Sequence, residues 1–486
     1  MINKTTTWQL TCSLAGLTFT GQALGQSAES RQQQRPNIIF ILADDLGIGD
    51  ISPYGQRLIR TPHLQQLADE GMTFTQCYAG TAVSAPSRAS LMTGKHTGHT
   101  YIRGNKGADP EGQVPMEAGT YTLAEMFRNT GYATGCFGKW GLGYPGSVSD
   151  PTKVGFDRFY GYNCQTLAHD YYPDHLWDND RRVELPMNRD RQEGVYSADM
   201  IHRKALDFIR QNSKRPFFAY LSYTLPHAEL RLPEDSTFGY YARLIPDRDE
   251  KAFAPQNPNA RGAYGPQRRP LAAFAAMVTR LDRYVGDVMQ LLRELGIDRN
   301  TILIFTSDNG PHREGGANPD YFDSYAQFRG IKRDLYEGGI RVPMIVRCPG
   351  TIVPGSKSEH IMAFWDMMPT FAELAGGRVK GHVDGISFVP SLTGNGCQRE
   401  HDWLYWEFHE QGGKQAVRMG RWKGVRLMVD EPTKTRFELY DLETDQHEDH
   451  NLAGQHPDIV KKMLRRMKKE HEKSELFEFG SSAPTR

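Results

Sequence analysis

Four short apolar runs constrain the fold most: Ile38 to Ala43, Ala133 to Phe137, Phe217 to Tyr223 and Ile302 to Thr306, each rich in β-branched or aromatic residues and each ending in polar residues or glycine. Runs of this length and composition read as buried strands. Between them lie segments with apolar residues at three- and four-residue spacing, such as Ala198 to Arg210 and Leu271 to Leu295, which read as helices. The alternation implies a large, mostly parallel sheet between layers of helices, an α/β fold.

Each run leads into polar residues able to do chemistry: Asp44 and Asp45 after the first, Lys139 after the second, His227 after the third, Asp308 and Asn309 after the fourth. Open α/β sheets bind ligands at the carboxyl ends of their strands, so these side chains are expected in one cleft. A single residue of this kind is usually a cap or turn former; four such positions together point to a site. After about residue 355 the pattern changes to glycine-rich turns, short runs such as Trp403 to Phe408 and Phe437 to Tyr440, and an amphipathic stretch from Ile459 to Glu472. A smaller C-terminal subdomain, residues 356–486, is expected there, with an antiparallel sheet and one helix. Lys461, Lys462, Arg465, Arg466, Lys468 and Lys469 alternate with Met463, Leu464 and Met467, the pattern of a solvated helix face.

Lys and Arg together number 58, as do Asp and Glu, in a chain of 486 residues. No net field favours nucleic acid, so an anionic ligand must be held by a few placed cations. Lys4, the apolar run Leu10 to Phe19 and the small residues Ala23 and Gly25 give residues 1–25 the form of a secretory signal, which predicts export to the periplasm or medium of a bacterium. No run reaches the roughly 20 apolar residues of a membrane-spanning helix. Cys12 falls in the signal, and Cys77, Cys136, Cys164, Cys348 and Cys397 lack zinc or disulfide spacing, so most should be buried free thiols.

Ser84-Ala85-Pro86-Ser87-Arg88, continued by Ala89-Ser90-Leu91-Met92-Thr93-Gly94, resembles the signature of the type I sulfatases, in which a leading Cys or Ser is oxidised to formylglycine. Further stretches are similar to motifs of that family in the same order: Arg35 to Asp45, Gly138-Lys139-Trp140, Thr306 to Gly310, and Arg329-Gly330-Ile331-Lys332 with Tyr336 to Pro343. The similarity runs from about residue 35 to the C-terminus, with residues 35–355 as the catalytic domain. It implies an alkaline-phosphatase-like fold.

The resemblance assigns roles that suit the chemistry. Hydrolysis of a sulfate ester builds charge on the equatorial and leaving oxygens, which calls for fixed cations, a nucleophile and a proton donor. Arg88, Lys139 and Lys332 are the implied sulfate-binding cations, and His227 the implied proton donor to the leaving oxygen. Asp44, Asp45, Asp308 and Asn309, with residue 84, are the implied calcium ligands, an all-oxygen set suited to a hard ion. Hydrated formylglycine at position 84 is the implied nucleophile: one hydroxyl attacks sulfur, and the second expels sulfate. A serine-accepting maturase is the implied partner. Many relatives carry histidine where this chain has Gly141, so the base for the expulsion step is open, with His99 and His312 as candidates.

Loops rich in polar and aromatic groups, residues 161–172 and 406–410 with Arg418, suggest a sugar site; His169, His312, His409 and Arg418 are its candidate contacts. The resemblance points to sulfated galactose or N-acetylgalactosamine units of glycans. Two other readings stand beside it: a phosphatase or phosphodiesterase of the alkaline phosphatase superfamily, and a glycan-binding protein that does not catalyse.

Overall fold

The four runs form neighbouring parallel strands. In the computed structural model, which describes residues 35–109, 111–255 and 264–480, Asn37–Ala43 pairs in parallel with Phe217–Ser222 on one side and Thr301–Ser307 on the other. Ala133–Lys139 continues the parallel ladder beyond Phe217–Ser222, and Arg158–Tyr162 follows it. The expected signal, residues 1–25 with Cys12, lies outside the described residues.

The sheet has ten strands, and both of its edges depart from the parallel pattern. Met344–Arg347 runs antiparallel to Thr301–Ser307 and to Met72–Phe74, with Ser356–Ser358 outermost. His175–Asp178 and Arg181–Glu184 form an antiparallel hairpin at the opposite edge.

The central runs read as continuously apolar because both faces are covered. Ile39, Ile41 and Ala43 pack in one core with the helices Ser197–Asn212 and Pro270–Glu294; Ile38, Phe40 and Leu42 pack in another with Leu123–Asn129 and Met367–Ala375. Side chains of a strand alternate between faces, so a polar residue anywhere in Asn37–Ala43 beyond its first position would enter one of these cores. No helix among the described residues is long and apolar enough to cross a membrane.

Leu404–Phe408, Lys414–Met419, Trp422–Leu427 and Arg436–Asp441 make a four-stranded antiparallel sheet in chain order. Met463 and Met467 of the helix Pro457–Glu470 pack on Tyr405, Val417 and Leu439 of one face. Trp406, Ala416, Val425 and Tyr440 of the other face pack against Tyr78, Ile340 and Trp365. Cys77, Cys136, Cys164 and Cys348 are buried and Cys397 is exposed, with no disulfide among the described residues.

One glycine fixes the height of Lys139 at the sheet edge. Gly138 has φ +119°, and a Cβ there would lie 1.9 Å from the Ser222 carbonyl oxygen. Gly138→Ala should therefore destabilise the protein by about 3 kcal/mol or more, from backbone strain and the clash together. Urea unfolding of the variant, with m unchanged, measures this; a loss below about 1 kcal/mol would show that the strands separate easily there.

Candidate active site

The sheet registers bring the strand ends level. Leu42 pairs with Ser222 and Thr306, Ala43 with Ser307, and Gly138 with Ser222, so Asp44, Asp45, Lys139, Asp308 and Asn309 emerge along one edge. All five are fully buried. His227 reaches the same edge on the loop after Phe217–Ser222, and Lys332 on the loop before Glu337–Ile340.

Ser84 is the first residue of the buried helix Ser84–Thr93, where the helix dipole favours an anion. Its hydroxyl donates to Asp44 Oδ1 (2.9 Å) or Asp308 Oδ2 (2.7 Å), and Lys139 Nζ approaches it at 3.2 Å. Lys139 also donates to Asp44 Oδ2 at 2.7 Å. One turn along the helix, Arg88 donates through Nε and a terminal nitrogen to Asp308 Oδ2 at 3.1 and 2.8 Å, and to the Lys139 carbonyl at 3.0 Å. It also donates to the Ser222 hydroxyl and lies 3.6 Å from Asp44 Oδ2.

On the far side of the aspartates, Lys332 Nζ donates to Asp45 Oδ2 at 2.8 Å, to Glu314 Oε2 at 2.7 Å and to His227 Nε2 at 3.3 Å. His227 Nδ1 bonds the Ala228 carbonyl, which places the ring proton there and leaves Nε2 as the acceptor facing the site. That Nε2 also lies 3.4 Å from Asp45 Oδ2.

The electrostatics are tightly balanced. Burial works to raise the Asp44 carboxyl, but Lys139 and Arg88 outweigh it and hold it well below the usual range. Asp45 is likewise lowered, Lys332 overcoming burial. Asp308 is pushed up to about 6 by burial and by the Asp44 charge, despite Arg88 and Lys139. Burial, with the Lys332 charge, depresses His227 to about 3, so its imidazole is neutral. Three aspartates thus face three cations, Arg88, Lys139 and Lys332, with no surplus positive charge for an anionic ester.

A divalent cation would supply that surplus, and the donors fit one. Asn309 Oδ1 is buried without a hydrogen-bond partner, while its Nδ2 donates to Asp45 Oδ1 at 2.7 Å. Asp44 and Asp308 turn oxygens toward the Ser84 hydroxyl, and Asp45 meets the Asn309 amide, so the strand ends offer an oxygen-rich set suited to a hard ion.

Of the sugar contacts expected from sequence, two border this group. His169 stacks on His227 with ring centroids 5.1 Å apart and lines a cavity of about 1210 Å³. His312 stacks on His227 from another side at 5.9 Å. Both His312 nitrogens are engaged, Nε2 toward the Pro226 carbonyl (3.3 Å) and Nδ1 accepting from the Glu314 N–H (3.1 Å). His409 instead bonds Glu407 Oε2 at 2.8 Å and stacks on Phe479. The Arg418 guanidinium is buried against Tyr78 OH, Gln76 Oε1 and the Gly420 carbonyl, structural contacts that tie the four-stranded sheet to the segment around Tyr78. His99 bonds Asp384, not any residue around Ser84.

Sequence reasoning missed several neighbours. Glu314 clamps Lys332 and Arg333, and Tyr264 packs 5.1 Å from His169 and 6.0 Å from His227. At Gly141, where φ is +75°, a Cβ would meet Gln165 Cγ at 3.2 Å. Gln165 donates to Asn105 Oδ1 (3.0 Å), which also accepts the Ala85 N–H (3.2 Å). An amide pair thus fills the space beside the glycine. Gln165 falls in the loop 161–172 expected at the sugar site, whereas Asn105 lies in an unpatterned loop that carries no signal to single it out.

A serine at a helix N-terminus, flanked by cations and an oxygen-rich acidic set at the edge of a mostly parallel sheet, is the arrangement of the alkaline-phosphatase-like hydrolases of anionic esters. Residues 36–377 match the family model described as Sulfatase, and residues 327–473 the one described as N-sulphoglucosamine sulphohydrolase, C-terminal. The chain belongs to the sulfatase family and is a sulfuric ester hydrolase. It is 28% identical to an N-acetylgalactosamine-6-O-sulfatase of Bacteroides thetaiotaomicron, over 90% of this chain and 93% of that one. It is 31% identical to the steryl-sulfatase of Rattus norvegicus, over 76% and 72% respectively. Among solved structures, Ps i-CgsB in complex with k-i-k-neocarrahexaose superposes with a TM-score of 0.76 at 28% identity, covering 92% of this chain and 96% of that one.

Proposed function

We propose that this sulfatase removes sulfate from galactose or N-acetylgalactosamine units of glycans, with a formylglycine made from Ser84 and a calcium ion, after export from a bacterial cell. The observation that carries the catalytic part is the position of Ser84 Oγ, within hydrogen-bonding reach of Asp44, Asp308 and Lys139 at the helix N-terminus. Support for the sugar comes from the Bacteroides relative and the carbohydrate-bound neighbour, and from a large cavity beside His169 lined with polar groups such as Glu229 and Arg231.

Asp44, Asp45, Asp308 and Asn309 would hold calcium, which supplies positive charge against the sulfate oxygens. Formylglycine, as its hydrate, supplies a nucleophilic hydroxyl and a second hydroxyl whose collapse to the aldehyde frees sulfate; plain serine lacks the second. A serine-accepting maturase would form it. Lys139 positions the attacking oxygen and, with Arg88 and the helix N-terminus, neutralises charge developing on sulfate. On the opposite side Lys332 Nζ carries the proton that His227 Nε2 accepts, so the pair holds a proton where a leaving oxygen would need it.

Defined monosulfated sugars test the proposal: inorganic sulfate released from galactose or N-acetylgalactosamine esters, with no phosphate from the matched phosphate esters, is expected. Comparable phosphate release would favour the phosphatase reading. His227→Ala should slow sugar sulfates by roughly 10² to 10⁴. Activated aryl sulfates, whose leaving groups need no proton, should lose far less. Equal losses on both substrates would assign His227 to binding.

A further inference from the structure

A second cluster of metal-ligand side chains shares no residue with the group around Ser84. His96 and His99 lie on the loop that follows the helix Ser84–Thr93, His382 and Asp384 on a second loop, and Glu470 and Glu472 at the end of the C-terminal helix. His99 Nδ1 lies 2.9 Å from both Asp384 oxygens, and His382 Nε2 lies 3.0 Å from Asp384 Oδ1.

The hydrogen bonds sort these histidines. His96 Nδ1 accepts the Gly98 N–H at 3.1 Å, so a neutral His96 carries its proton on Nε2, toward Glu470 Oε2 at 3.3 Å. That nitrogen has no lone pair to give a metal. His99 is the reverse case: its Nδ1 faces Asp384 and its Nε2 lies 4.0 Å from Glu472 Oε1, too far for a hydrogen bond, so the ring proton can move to Nε2 and free Nδ1 for a metal. Asp384 is itself held, Oδ2 accepting the His96 backbone N–H at 2.9 Å and its own N–H bonding the Gly94 carbonyl at 2.8 Å.

We propose that His99 Nδ1, His382 Nε2 and Asp384 form a binding site for a divalent transition ion of the zinc class. Two imidazoles and one carboxylate are the donor set of three-ligand zinc sites, whereas calcium takes six to eight oxygens. The fourth position opens on a cavity of about 650 Å³ that these two histidines help line, leaving room for water or a small anionic ligand. Binding displaces the protons that His99 Nδ1 and His382 Nε2 share with Asp384, each of which moves to the other nitrogen of its ring or, from a protonated ring, leaves to solvent. The ion would staple the loop behind the Ser84 helix to the loop carrying His382.

The His382 side chain is 71% exposed, so its loss should leave folding and sulfate release intact. The test is calorimetric titration of the calcium-saturated full-length protein with Zn²⁺, repeated on His382→Ala. One zinc equivalent with a Kd of about 1 μM or tighter is expected, weakened at least roughly 10-fold in the variant. Co²⁺ should give the visible absorption of a four-coordinate site in the wild type and not in His382→Ala. Zinc binding weaker than about 1 μM in the wild type, or binding that the variant leaves unchanged, would overturn the proposal and make the cluster a hydrogen-bonded brace.

Discussion

Protein whose residue 84 is entirely unmodified serine should turn over sulfated sugars slower than the matured enzyme by on the order of 10⁶, the scale of losing a covalent nucleophile in other hydrolases. Serine in that position can still accept hydrogen bonds from Lys139 and attack sulfur, but its sulfate ester has no neighbouring hydroxyl to expel it. A single turnover followed by arrest is expected, with substrate binding preserved. Mass spectrometry of the tryptic peptide ending at Arg88, which loses two hydrogens on conversion, reports the state of the residue alongside the rate. Ser84→Cys produced with a cysteine-accepting maturase should restore turnover. Full activity from protein carrying only serine would remove formylglycine from the mechanism and return the phosphatase-like reading.

Asp308→Ala is the second large effect, because one carboxylate serves three partners. Asp308 accepts from Ser84 Oγ and Arg88 through Oδ2 and from the Asp45 backbone N–H through Oδ1. Its loss leaves the buried Arg88 with only Asp44 at 3.6 Å as a counter-charge, and breaking a buried pair in this way costs about 3 to 5 kcal/mol. Turnover should become undetectable and stoichiometric calcium binding should vanish. Asp308→Asn, which keeps the shape, separates charge from packing: it should recover much of the stability and little of the activity. Wild-type protein that stays fully active after exhaustive chelation, with metal analysis showing an empty site, would refute the calcium assignment.

The parallel core was legible because burial on both faces forces an unbroken apolar run, and such a run stops where the chain reaches the sheet edge. Asp44, Lys139 and Asp308 are polar residues at those stops, so strand and site came from one signal. The helices Ser197–Asn212 and Pro270–Glu294 lie within two residues of their expected bounds, as does Pro457–Glu470. Antiparallel Met344–Arg347 and Met72–Phe74 were not foreseen: Gly71 and Pro343 punctuate them, but four- and three-residue strands carry too little pattern. Arg418 shows the opposite difficulty. Its charge suggested a ligand, yet its partners Tyr78 and Gln76 lie more than 300 residues away in sequence, and no local pattern announces such a contact. Glu314 was silent for the same reason, since its value comes from Lys332 and Arg333 meeting it across a loop.

The depth of residue 84 sets an order of events. Its side chain is 2% exposed, the helix that begins with it is buried along nine of its ten residues, and the loop behind that helix is tied by His96 to the end of the C-terminal helix. A sulfate group entering from the cleft is small, whereas a separate enzyme that must close its own catalytic centre around this carbon would have to draw residue 84 out of the fold and break the Arg88 and Asp308 contacts. If Ser84 is oxidised as proposed, the reaction would therefore belong to the chain before it folds, and the last stretch synthesised would close the window. Variants that fold faster or cross the membrane already compact should accumulate as correctly folded, inactive protein, a yield problem that no measurement of stability would detect.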